Sequence, residues 1–434
     1  MNGLTPLGIT NWRNSNQPFG IKELDRFGHI YCIGKTGVGK STLLLNMAIS
    51  DVERGNGFCA IDPHGDISEH ILDYIPEHRI NDVIYFNPKD KDFPIAFNPL
   101  KGVDPNYHHL IASGLISTFK KIWLDSWGPR LEYILRFALL TLLQCPDATL
   151  LDIQPLLTDY AFKARVLRYV TSPHILGFWH NEFDKYSPAL KAEAIAPILN
   201  KTGIFLTSIP LRNIVGQAER GFNVQDIMDN GKILIVNLSK GELGEEAASI
   251  LGSVIVTSIQ LAALYRSTQP EESRRPFYLY VDEMHSFVSL SFIDILAEAR
   301  KYKLSLFLTH QYIDQINEKI RSAIFGNVGT IISFRVGAED AKYLELEFKP
   351  PFAVSDFIAL PRYAMYIKLM IDGATSKPFS ASSLALPPHT YSWKEEIKKN
   401  SRQTNGKPRV MVEQSIFKGH MKGENESAAR LFDL

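Results

Sequence analysis

Residues 34–41 read Gly-Lys-Thr-Gly-Val-Gly-Lys-Ser and match the phosphate-binding pattern G-x-x-x-x-G-K-[ST] at every fixed position. The apolar residues 29–33 before them predict a buried strand, and residues 40–49 predict a helix. In this strand–loop–helix order, loop N–H groups and the helix N-terminus surround a polyphosphate. A chance glycine-rich turn is the alternative, and the flanking elements argue against it. The pattern therefore predicts an α/β fold that binds a nucleoside triphosphate.

The contacts to the nucleotide can be assigned within this segment. Lys40 is predicted to reach the β- and γ-phosphates, and the Ser41 hydroxyl is predicted to bind Mg²⁺. The predicted cofactors are therefore ATP and Mg²⁺. The predicted nucleotide-binding residues are Gly34, Lys35, Thr36, Gly37, Val38, Gly39, Lys40, Ser41 and Thr42.

A second predicted strand, at 277–282, ends in two adjacent acids, Asp282 and Glu283. Because side chains alternate along a strand, the two carboxylates point in different directions. One can hold the Mg²⁺ shell while the other orients or deprotonates the attacking water. The plainer alternative is a strand that simply ends in solvated acids. With a phosphate loop upstream, the pair favours a hydrolytic motor over a switch that only binds nucleotide.

Charge and composition limit the partners of the chain. Its 434 residues include 47 basic and 47 acidic side chains, so any DNA contact must come from a local basic lining. The three cysteines are scattered, and Cys32 and Cys59 lie in apolar runs, which favours reduced thiols in the cytosol. His64 has no spaced metal-ligand partners and is predicted not to bind metal. The start of the chain lacks a signal pattern, so we expect a cytoplasmic protein, or one peripheral to the inner face of a membrane.

Residues 247–265 carry no charge and are long enough to cross a bilayer. However, small and polar residues recur through this stretch at helical spacing and form a stripe on an otherwise apolar helix. We therefore predict a helix buried inside the nucleotide-binding domain and not a membrane span. The residues of the stripe are Ser249, Gly252, Ser253, Thr257 and Gln260.

Strands and helices alternate along most of the chain, which predicts a mostly parallel sheet covered on both faces. The alternation stops between about residues 104 and 216, where only helical periodicity is found. This pattern predicts an α/β domain interrupted by an all-α insertion. The predicted parts are an N-terminal lead-in arm (1–28), a nucleotide-binding domain (29–103 and 217–385), an all-α insertion (104–216) and a partly disordered C-terminal extension (386–434).

The order of these motifs resembles the HerA/FtsK branch of the RecA-like motor ATPases, and most closely the coupling ATPases of type IV secretion and conjugation. The resemblance spans about residues 29–370, and it is strong at the ATPase motifs and weak in the insertion. The segments that carry it are His29 before the phosphate loop, Ile61-Asp62-Pro63-His64-Gly65-Asp66, Phe97-Asn98-Pro99-Leu100, Glu298-Ala299-Arg300-Lys301-Tyr302 and Leu308-Thr309-His310-Gln311.

The resemblance implies roles for individual residues. Asp282 matches the acid of the Mg²⁺ shell, Glu283 the catalytic glutamate, and Gln311 the polar sensor of the γ-phosphate or water. Arg300 matches an arginine finger that is offered to the nucleotide of a neighbouring subunit. A solvated cation at a helix end is the plainer interpretation of Arg300, and Arg335 is the second candidate for the finger.

The fold implied by the resemblance is a RecA-like P-loop NTPase with an inserted all-α domain, assembled as a hexameric ring around DNA. Lys240 follows a predicted strand and is a candidate for a pore loop, with a solvated turn as the alternative. Coupling proteins usually carry N-terminal membrane helices and HerA proteins a β-barrel, and this sequence has room for neither. We therefore expect a soluble relative, or a motor that works with a separately encoded membrane anchor or nuclease.

The leading functional hypothesis is an ATP-driven DNA translocase or coupling ATPase that hydrolyses ATP at the subunit interfaces of a ring. One alternative is an NTP-dependent assembly or signalling switch whose helical insertion docks a protein. Another is a secretion ATPase that moves a protein substrate. The adjacent acids and Gln311 favour hydrolysis over switching, and the sequence separates DNA from protein transport only weakly.

Overall fold

A computed structural model describes residues 3–11, 15–389 and 392–418 of the chain. These residues form two compact units, and each unit is built from separate stretches of sequence. The first unit comprises Met1–Phe86, Val224–Lys240 and Ala262–Asn400. The second unit comprises Asn87–Asn223, Gly241–Leu261 and Ser401–Leu434.

The first unit is built on a large sheet. Eleven strands of the described residues join it in the order β2-β1-β13-β10-β9-β3-β8-β7-β4-β6-β5, and β11 pairs with β12 separately. The strands are β1 (Leu4–Thr10), β2 (Pro18–Lys22), β3 (Ile30–Ile33), β4 (Gly57–Asp62), β5 (Val83–Phe86), β6 (Ile233–Asn237), β7 (Phe277–Val281), β8 (Leu304–His310), β9 (Thr330–Ser333), β10 (Ala364–Lys368), β11 (Met370–Ile371), β12 (Ala374–Thr375) and β13 (Phe379–Ser383).

The centre of the sheet is parallel. Strand β3 pairs in parallel with β8 and β9, β8 pairs with β7, and β7 pairs with β4. These strands are buried along their whole length, as expected for apolar strands covered by helices on both faces. The prediction of a mostly parallel sheet is confirmed. Because the strands are parallel, the carboxyl ends of β3, β4, β7, β8 and β9 lie at one edge of the sheet.

Antiparallel strands extend the sheet beyond β9. Strand β10 pairs antiparallel with β9 and β13, and β1 pairs antiparallel with β13 and β2. The predicted N-terminal arm therefore supplies β1 and β2, two strands of the sheet. Because β10 runs opposite to β9, it begins at the edge where β9 ends.

The helices of the first unit alternate with the strands in the predicted order. Most of them follow a strand, although Val224–Asp229 precedes β6 and Val354–Ala359 follows another helix. Buried residues of Lys40–Glu53 and Asp66–Leu72 share one core with residues of the sheet, as in layered α/β domains. The helices are Glu23–Arg26, Lys40–Glu53, Asp66–Leu72, Val224–Asp229, Phe292–Glu298, Glu318–Asn327, Ala338–Phe348 and Val354–Ala359.

The second unit is helical. Its core is aromatic: Phe137 stacks on Phe178 with ring centroids 4.1 Å apart, and Trp179 Nε1 donates a hydrogen bond to Thr141 Oγ1 at 2.9 Å. The β-structure of its described residues is one isolated antiparallel bridge, between Ile95 and Gly406. The helices are His108–Ile122, Pro129–Leu142, Ile153–Thr158, Tyr160–Leu167, Pro173–Gly177, Phe178–Glu182 (a π-helix), Pro188–Thr202, Ile204–Thr207 and Ile209–Val215.

The second unit is larger than the insertion predicted at 104–216, because residues on both sides of that range are bonded to it. Phe97 N donates to the carbonyl of Ile214 at 3.1 Å, and the Phe97 ring stacks on Phe222 with centroids 5.4 Å apart. Asn98 Nδ2 donates to the carbonyl of Ala148 at 2.9 Å. The Phe97–Leu100 segment thus belongs to the helical unit, and it was assigned to the nucleotide-binding domain from the sequence.

The long helix Glu245–Tyr265 also departs from its predicted place. Residues 241–261 belong to the second unit, and the sequence had assigned them to the nucleotide-binding domain. The physical reason is close packing between helices. A methyl group on Gly114 would lie 2.4 Å from Thr257 Cγ2, so only a glycine allows this approach. The small and polar stripe on this helix is therefore a packing face.

Among the described residues, one single helix is long and apolar enough to span a membrane, and it lies in this region. The stretch Glu245–Thr268 is long and apolar enough to span, and 78% of its most apolar window is buried in the protein. The bent pair Pro188–Thr207 and Ile209–Val215 meets the same criterion only when both helices are counted together. Length and composition alone are weak evidence, because buried core helices satisfy the same criterion.

The described part of the C-terminal extension includes the helix Lys394–Asn405. Lys394 Nζ lies 3.1 Å from Asp73 Oδ2, and Lys398 Nζ lies 3.0 Å from Glu69 Oε2. These ion pairs attach the start of the helix to the first unit, within a region predicted as a peripheral and partly disordered extension. Residues 419–434 lie outside the described residues.

Candidate active site

The loop that follows β3 curves around its own lysine. Gly37 and Gly39 have φ angles of +75° and +128°, which residues with a side chain rarely adopt. Lys40 is buried, and its Nζ donates hydrogen bonds to the carbonyl oxygens of Gly34 at 2.6 Å and Lys35 at 3.0 Å. The ammonium group is therefore held inside the loop, where phosphate oxygens can take over these contacts.

Main-chain hydrogen bonds fix the phosphate loop to the strands on both sides of β3. Gly34 N donates to the carbonyl of His310, at the end of β8, at 3.2 Å. Lys35 N donates to the carbonyl of Arg335, just beyond β9, at 2.9 Å. Within the loop, Lys35, Thr36 and Gly37 are exposed while Val38 and Gly39 are buried. The loop is thus bonded to the neighbouring strands at Gly34 and Lys35, and its residues from Lys35 to Gly37 are open to solvent.

The two predicted acids lie at the same edge, directly after β7. Asp282 and Glu283 are 4% and 5% exposed, so both carboxylates are buried next to each other. Thr309 of β8 joins them: its Oγ1 donates a hydrogen bond to Asp282 Oδ1 and accepts one from Glu283 N at 3.2 Å. Because β8 lies between β7 and β3, this contact brings the acids to the phosphate loop.

The Glu283 side chain is held between two polar residues. Gln311 Nε2 donates to Glu283 Oε1 at 2.6 Å, and His285 Nδ1 lies 3.4 Å from Glu283 Oε2. The backbone of Glu283 is left-handed, with φ +49° and ψ +55°, a conformation that is strained for a residue of this kind. One carboxylate oxygen of Glu283 and one of Asp282 lie within 4.8 Å of each other, so the two acids meet at one place, whereas the sequence predicted that they point in different directions.

Burial and neighbouring charges change the proton affinity of this site. Burial raises the pKa of Asp282 to about 6, the nearby Glu283 and Asp62 carboxylates act in the same direction, and the Thr309 hydrogen bond and Lys40 oppose it. Asp62 accepts hydrogen bonds from His64 N at 2.9 Å and Ser68 N at 2.8 Å. The site therefore concentrates negative charge in a buried position.

The two carboxylates of the donor set fit a hard divalent cation, whereas the His64 imidazole is a softer ligand. One ligand atom each from His64, Asp282 and Glu283 lies within 4.8 Å of the others. Carboxylate oxygens are the ligands that Mg²⁺ prefers, and a cation would offset the clustered negative charge. Ser41, the other predicted Mg²⁺ ligand, is exposed in the first turn of the helix that begins at Lys40. His64 was predicted not to bind metal, and the fold brings it to the acids.

The neutral histidine at the end of β8 was not predicted from the sequence. Burial lowers the pKa of His310 to about 3, with the nearby His285 and Lys40 acting in the same direction. His310 Nδ1 lies 3.0 Å from Tyr31 Oη, and its Nε2 has no hydrogen-bond partner among the described residues. His310 therefore adds no positive charge beside Lys40. Only the apolar strand around it hinted at its burial, and no signal revealed its neighbours.

The two arginine candidates lie at opposite edges of the sheet. Arg300 is exposed in the turn Ala299–Tyr302, just before β8 begins, whereas Gln311 follows the other end of β8. Seven residues of strand span about 20 Å. Arg335 is also exposed but lies beside the phosphate loop, as its hydrogen bond to Lys35 requires. Of the two, only Arg335 is near the nucleotide-binding loop of its own chain.

Lys240 is directed toward the acid-bearing loop. Its Nζ donates a hydrogen bond to Ser286 Oγ at 2.7 Å, three residues beyond Glu283. The residue stands at the start of the short helix Lys240–Leu243. The sequence offered it as a pore-loop residue or a solvated turn, and in this structure the side chain is bonded beside the candidate site.

Comparison with known proteins places this geometry in a family. The family of type IV secretion-system coupling protein DNA-binding domains matches residues 21–347, which is most of the chain. A search of curated proteins by sequence returns no match.

Solved structures share the fold. Bacterial conjugative coupling protein TrwBdeltaN70 in its unbound form superposes with a TM-score of 0.62 at 15% identity, covering 89% of this chain and 90% of that one. TrwB in complex with the non-hydrolysable ATP analogue ADPNP gives 0.62 at 16% identity, with the same coverage. VirB4 of Thermoanaerobacter pseudethanolicus gives 0.61 at 13% identity, covering 89% and 98%.

At these identities the structural likeness establishes the fold, and the family match establishes the relationship. The predicted RecA-like fold with a helical domain is confirmed. The chain belongs to the family of type IV secretion-system coupling protein DNA-binding domains, within the HerA/FtsK superfamily of P-loop ATPases.

Proposed function

We propose that this protein is an ATP-driven DNA translocase of the coupling-protein type, which hydrolyses ATP at the subunit interfaces of a hexameric ring. One observation carries the proposal: Lys40, Asp282, Glu283 and Gln311 converge at one edge of the sheet. This edge combines a cationic phosphate loop with buried acids. Such a pairing serves hydrolysis, because a nucleotide switch does not need the second acid.

Each residue has a separable task. Lys40 would neutralise charge on the β- and γ-phosphates. Ser41 and Asp282 would hold Mg²⁺, which when bound would offset charge on the transferred phosphoryl group. Burial supports this task for Asp282, because its raised pKa reflects a buried carboxylate that a cation would stabilise. Phosphoryl transfer needs little covalent chemistry from the protein, so positioning and charge supply most of the rate enhancement.

Glu283 is the base that orients or deprotonates the attacking water. The 2.6 Å hydrogen bond from Gln311 occupies one of its oxygens and fixes the carboxylate. Oε2 faces His285 at 3.4 Å, so the carboxylate is held on both sides. A buried, fixed carboxylate beside the phosphate loop supports the role of general base.

Arg300 acts in trans, because β8 separates it from the nucleotide-binding edge of its own chain. Its side chain starts about 20 Å from the Gln311 end of the strand, beyond the reach of a guanidinium. Any phosphate that Arg300 contacts must therefore belong to another subunit. An arginine finger of this kind raises turnover by about 10³–10⁵-fold, so hydrolysis would depend on assembly. Arg335 serves its own chain instead, because it lies beside Lys35.

DNA is the proposed transported substrate, on the strength of the family. A protein substrate, docked on the helical unit, and a separately encoded membrane anchor or nuclease are further proposed partners. The proposed location is the cytoplasm, or the inner face of a membrane. The neutral net charge agrees with DNA binding only if a ring gathers basic loops in a channel.

The test measures ATP hydrolysis with and without DNA while native mass spectrometry follows the oligomeric state. We expect DNA to stimulate hydrolysis and the active species to be a ring. Arg300→Ala should keep ATP affinity and lose most of the stimulated turnover. Lys301→Ala is the matched control, since it removes the neighbouring exposed cation and should leave turnover unchanged.

Mixed rings give the sharper result for Arg300. Arg300→Ala lacks the finger and Glu283→Gln lacks the base, so interfaces that pair an intact finger with an intact base should regain activity. Co-assembly of the two variants without any recovery would overturn the trans role. Hydrolysis that ignores DNA, from a protein that stays monomeric, would favour the NTP-dependent switch.

A further inference from the structure

The phosphate loop has two flanks, and the candidate catalytic residues occupy one of them. Strand β3 lies between β8 and β9. Glu283 and Gln311 lie on the β8 flank, so the γ-phosphate must point there. A triphosphate bound in the loop then directs its nucleoside toward the other flank, where β9 ends and β10 begins.

That second flank carries an exposed tyrosine attached to the loop. Tyr363 N donates a hydrogen bond to the carbonyl of Val38 at 2.8 Å. Its ring lies against the loop, because a methyl group on Gly39 would be 3.0 Å from Tyr363 Cδ1. The residue is nevertheless 39% exposed. The ring thus borders the nucleotide-binding loop without being part of the core.

The backbone at this position does not favour an aromatic residue. Tyr363 has φ +67°, in the left-handed region where glycine, asparagine and aspartate are preferred. Packing against the loop covers part of the residue, but more than a third of it stays exposed. The local conformation therefore disfavours a tyrosine here, and the exposed part of the ring is open to contact with a ligand.

The neighbouring residue completes a planar platform. The Arg362 guanidinium lies over the Tyr363 ring, with Cζ 4.7 Å from the ring centroid, and Arg362 is exposed. Aromatic rings and guanidinium planes are the side-chain surfaces on which nucleic-acid bases stack. Such stacking does not depend on hydrogen bonds to the base edge, so it accepts different bases.

We propose that Tyr363 and Arg362 bind the nucleobase of the triphosphate by stacking, and that this flank takes purines without strong discrimination between adenine and guanine. The inference rests on the proposed function, because it assumes that the loop binds a nucleoside triphosphate. Purines are favoured over pyrimidines because their larger ring system overlaps more of the platform.

The experiment compares two ligands that share phosphates but not a base: Mg²⁺–ATP and Mg²⁺–tripolyphosphate. Tyr363→Asn removes the ring and keeps a residue that tolerates φ +67°. It should weaken ATP binding by about tenfold, a stacking effect of ordinary size, and leave tripolyphosphate binding within about twofold. Tyr363→Phe, the matched control, keeps the ring and should bind ATP as the unaltered protein does. In every variant the affinity for GTP should change by the same factor as the affinity for ATP.

A second measurement needs no substitution. Irradiation of the unaltered protein with an azidoadenine analogue of ATP should label the peptide that contains Arg362 and Tyr363. Equal loss of ATP and tripolyphosphate binding in Tyr363→Asn, or labelling elsewhere, would overturn the inference alone. If the unaltered protein binds tripolyphosphate but gains nothing from the base, this inference is also wrong. Failure to bind either ligand would remove the proposed function as well.

Discussion

Strand β7 contributes to two buried groups of charged residues that are built on opposite principles. The Arg26 cluster consists of Arg26, Asp51, Tyr280 and Thr5. Arg26 forms two parallel hydrogen bonds to Asp51, at 2.7 and 2.8 Å, and also donates to Tyr280 Oη and Thr5 Oγ1. Burial alone would lower the pKa of Arg26, but the charge of Asp51 more than offsets it and the pKa is raised.

The carboxylate cluster consists of Asp62, the last residue of β4, and of Asp282 and Glu283, which directly follow β7. Three acids share this region, and the nearby Lys40 donates to carbonyl oxygens of the phosphate loop. Opposite charges within the chain neutralise the Arg26 cluster, whereas the carboxylate cluster needs a cation from outside the chain. The comparison separates a structural use of buried charge from a functional one.

The largest effect should come from the carboxylate cluster and should be confined to chemistry. Glu283→Gln removes the proposed base, keeps the shape of the side chain and can still pair with Gln311. We expect turnover to fall by about 10²–10⁴-fold while ATP affinity and unfolding change little. Steady-state hydrolysis and equilibrium ATP binding measure the two quantities. Normal turnover would show that Glu283 is not the base and would contradict a catalytic use of the carboxylate cluster.

The Arg26 cluster should respond in the opposite way. Arg26→Leu leaves Asp51 buried and unpaired, which should lower the free energy of unfolding by about 3–5 kcal/mol. Hydrolysis per folded molecule should be preserved, because the cluster lies away from the phosphate loop. Urea unfolding followed by circular dichroism provides the measurement.

The double variant Arg26→Leu, Asp51→Leu removes both charges and is the control. It should recover part of the stability that the single variant loses, since no uncompensated charge remains. A single variant that unfolds normally but fails to hydrolyse ATP would contradict the structural assignment of this cluster.

A smaller effect, of the opposite sign, is expected for Asp282→Asn in the metal-free protein. The pKa of Asp282 is about 6 when folded, against an ordinary value of 3.8. Above pH 6 the folded chain carries a buried charge that the unfolded chain solvates, so the neutral Asn should stabilise by about 1–3 kcal/mol.

The stability gained by Asp282→Asn should shrink as the pH falls from 6 to 4, because Asp282 becomes protonated in the folded protein and no longer carries a buried charge. Thermal unfolding in a chelator at pH 7.5 and at pH 4 tests the sign. Saturating Mg²⁺ and nucleotide should favour the unaltered protein instead. A variant that is less stable at every pH would show that Asp282 is compensated inside the chain.

The smallest effect distinguishes two tyrosines on the same strand. Tyr280 Oη donates to Asp51 at 2.5 Å, whereas the buried Tyr278 Oη has no hydrogen-bond partner among the described residues. Tyr280→Phe should lower the free energy of unfolding by about 1–2 kcal/mol, and Tyr278→Phe should leave it unchanged or raise it slightly. Chemical unfolding of the matched pair decides whether the Arg26 cluster depends on its hydrogen bonds.

Much of the first unit could be predicted from the sequence because its strands are short apolar runs separated by helices. The strands predicted at 29–33 and 277–282 are β3 and β7, and each differs from its predicted bounds by one residue. The extent of the second unit was harder to predict, because contacts between residues distant in sequence join some segments to it. These segments are Phe97, Asn98 and the helix Glu245–Tyr265. Periodicity reveals which residues are buried but not which unit buries them.

The candidate site divides in the same way. Lys40, Asp282 and Glu283 stand in local motifs, so their spacing identified them, whereas the family resemblance indicated Gln311. The roles of His64 and Thr309 depend on which strands are neighbours. The order β3-β8-β7-β4, which brings them to the acids, is not written in any local pattern.

Strand β8 has a consequence for the proposed ring. One strand carries Gln311 after its last residue and Arg300 before its first, so under the proposed trans role of Arg300 it would link the site of its own subunit to the site of the next. Hydrogen bonds to β3 and β7 along both sides prevent it from stretching or turning independently. A small displacement of Gln311 when the γ-phosphate departs would therefore be passed along β8, together with its neighbouring strands, to Arg300. In the proposed ring, the seven residues of β8 would then couple ATP hydrolysis in one subunit to ATP hydrolysis in the next.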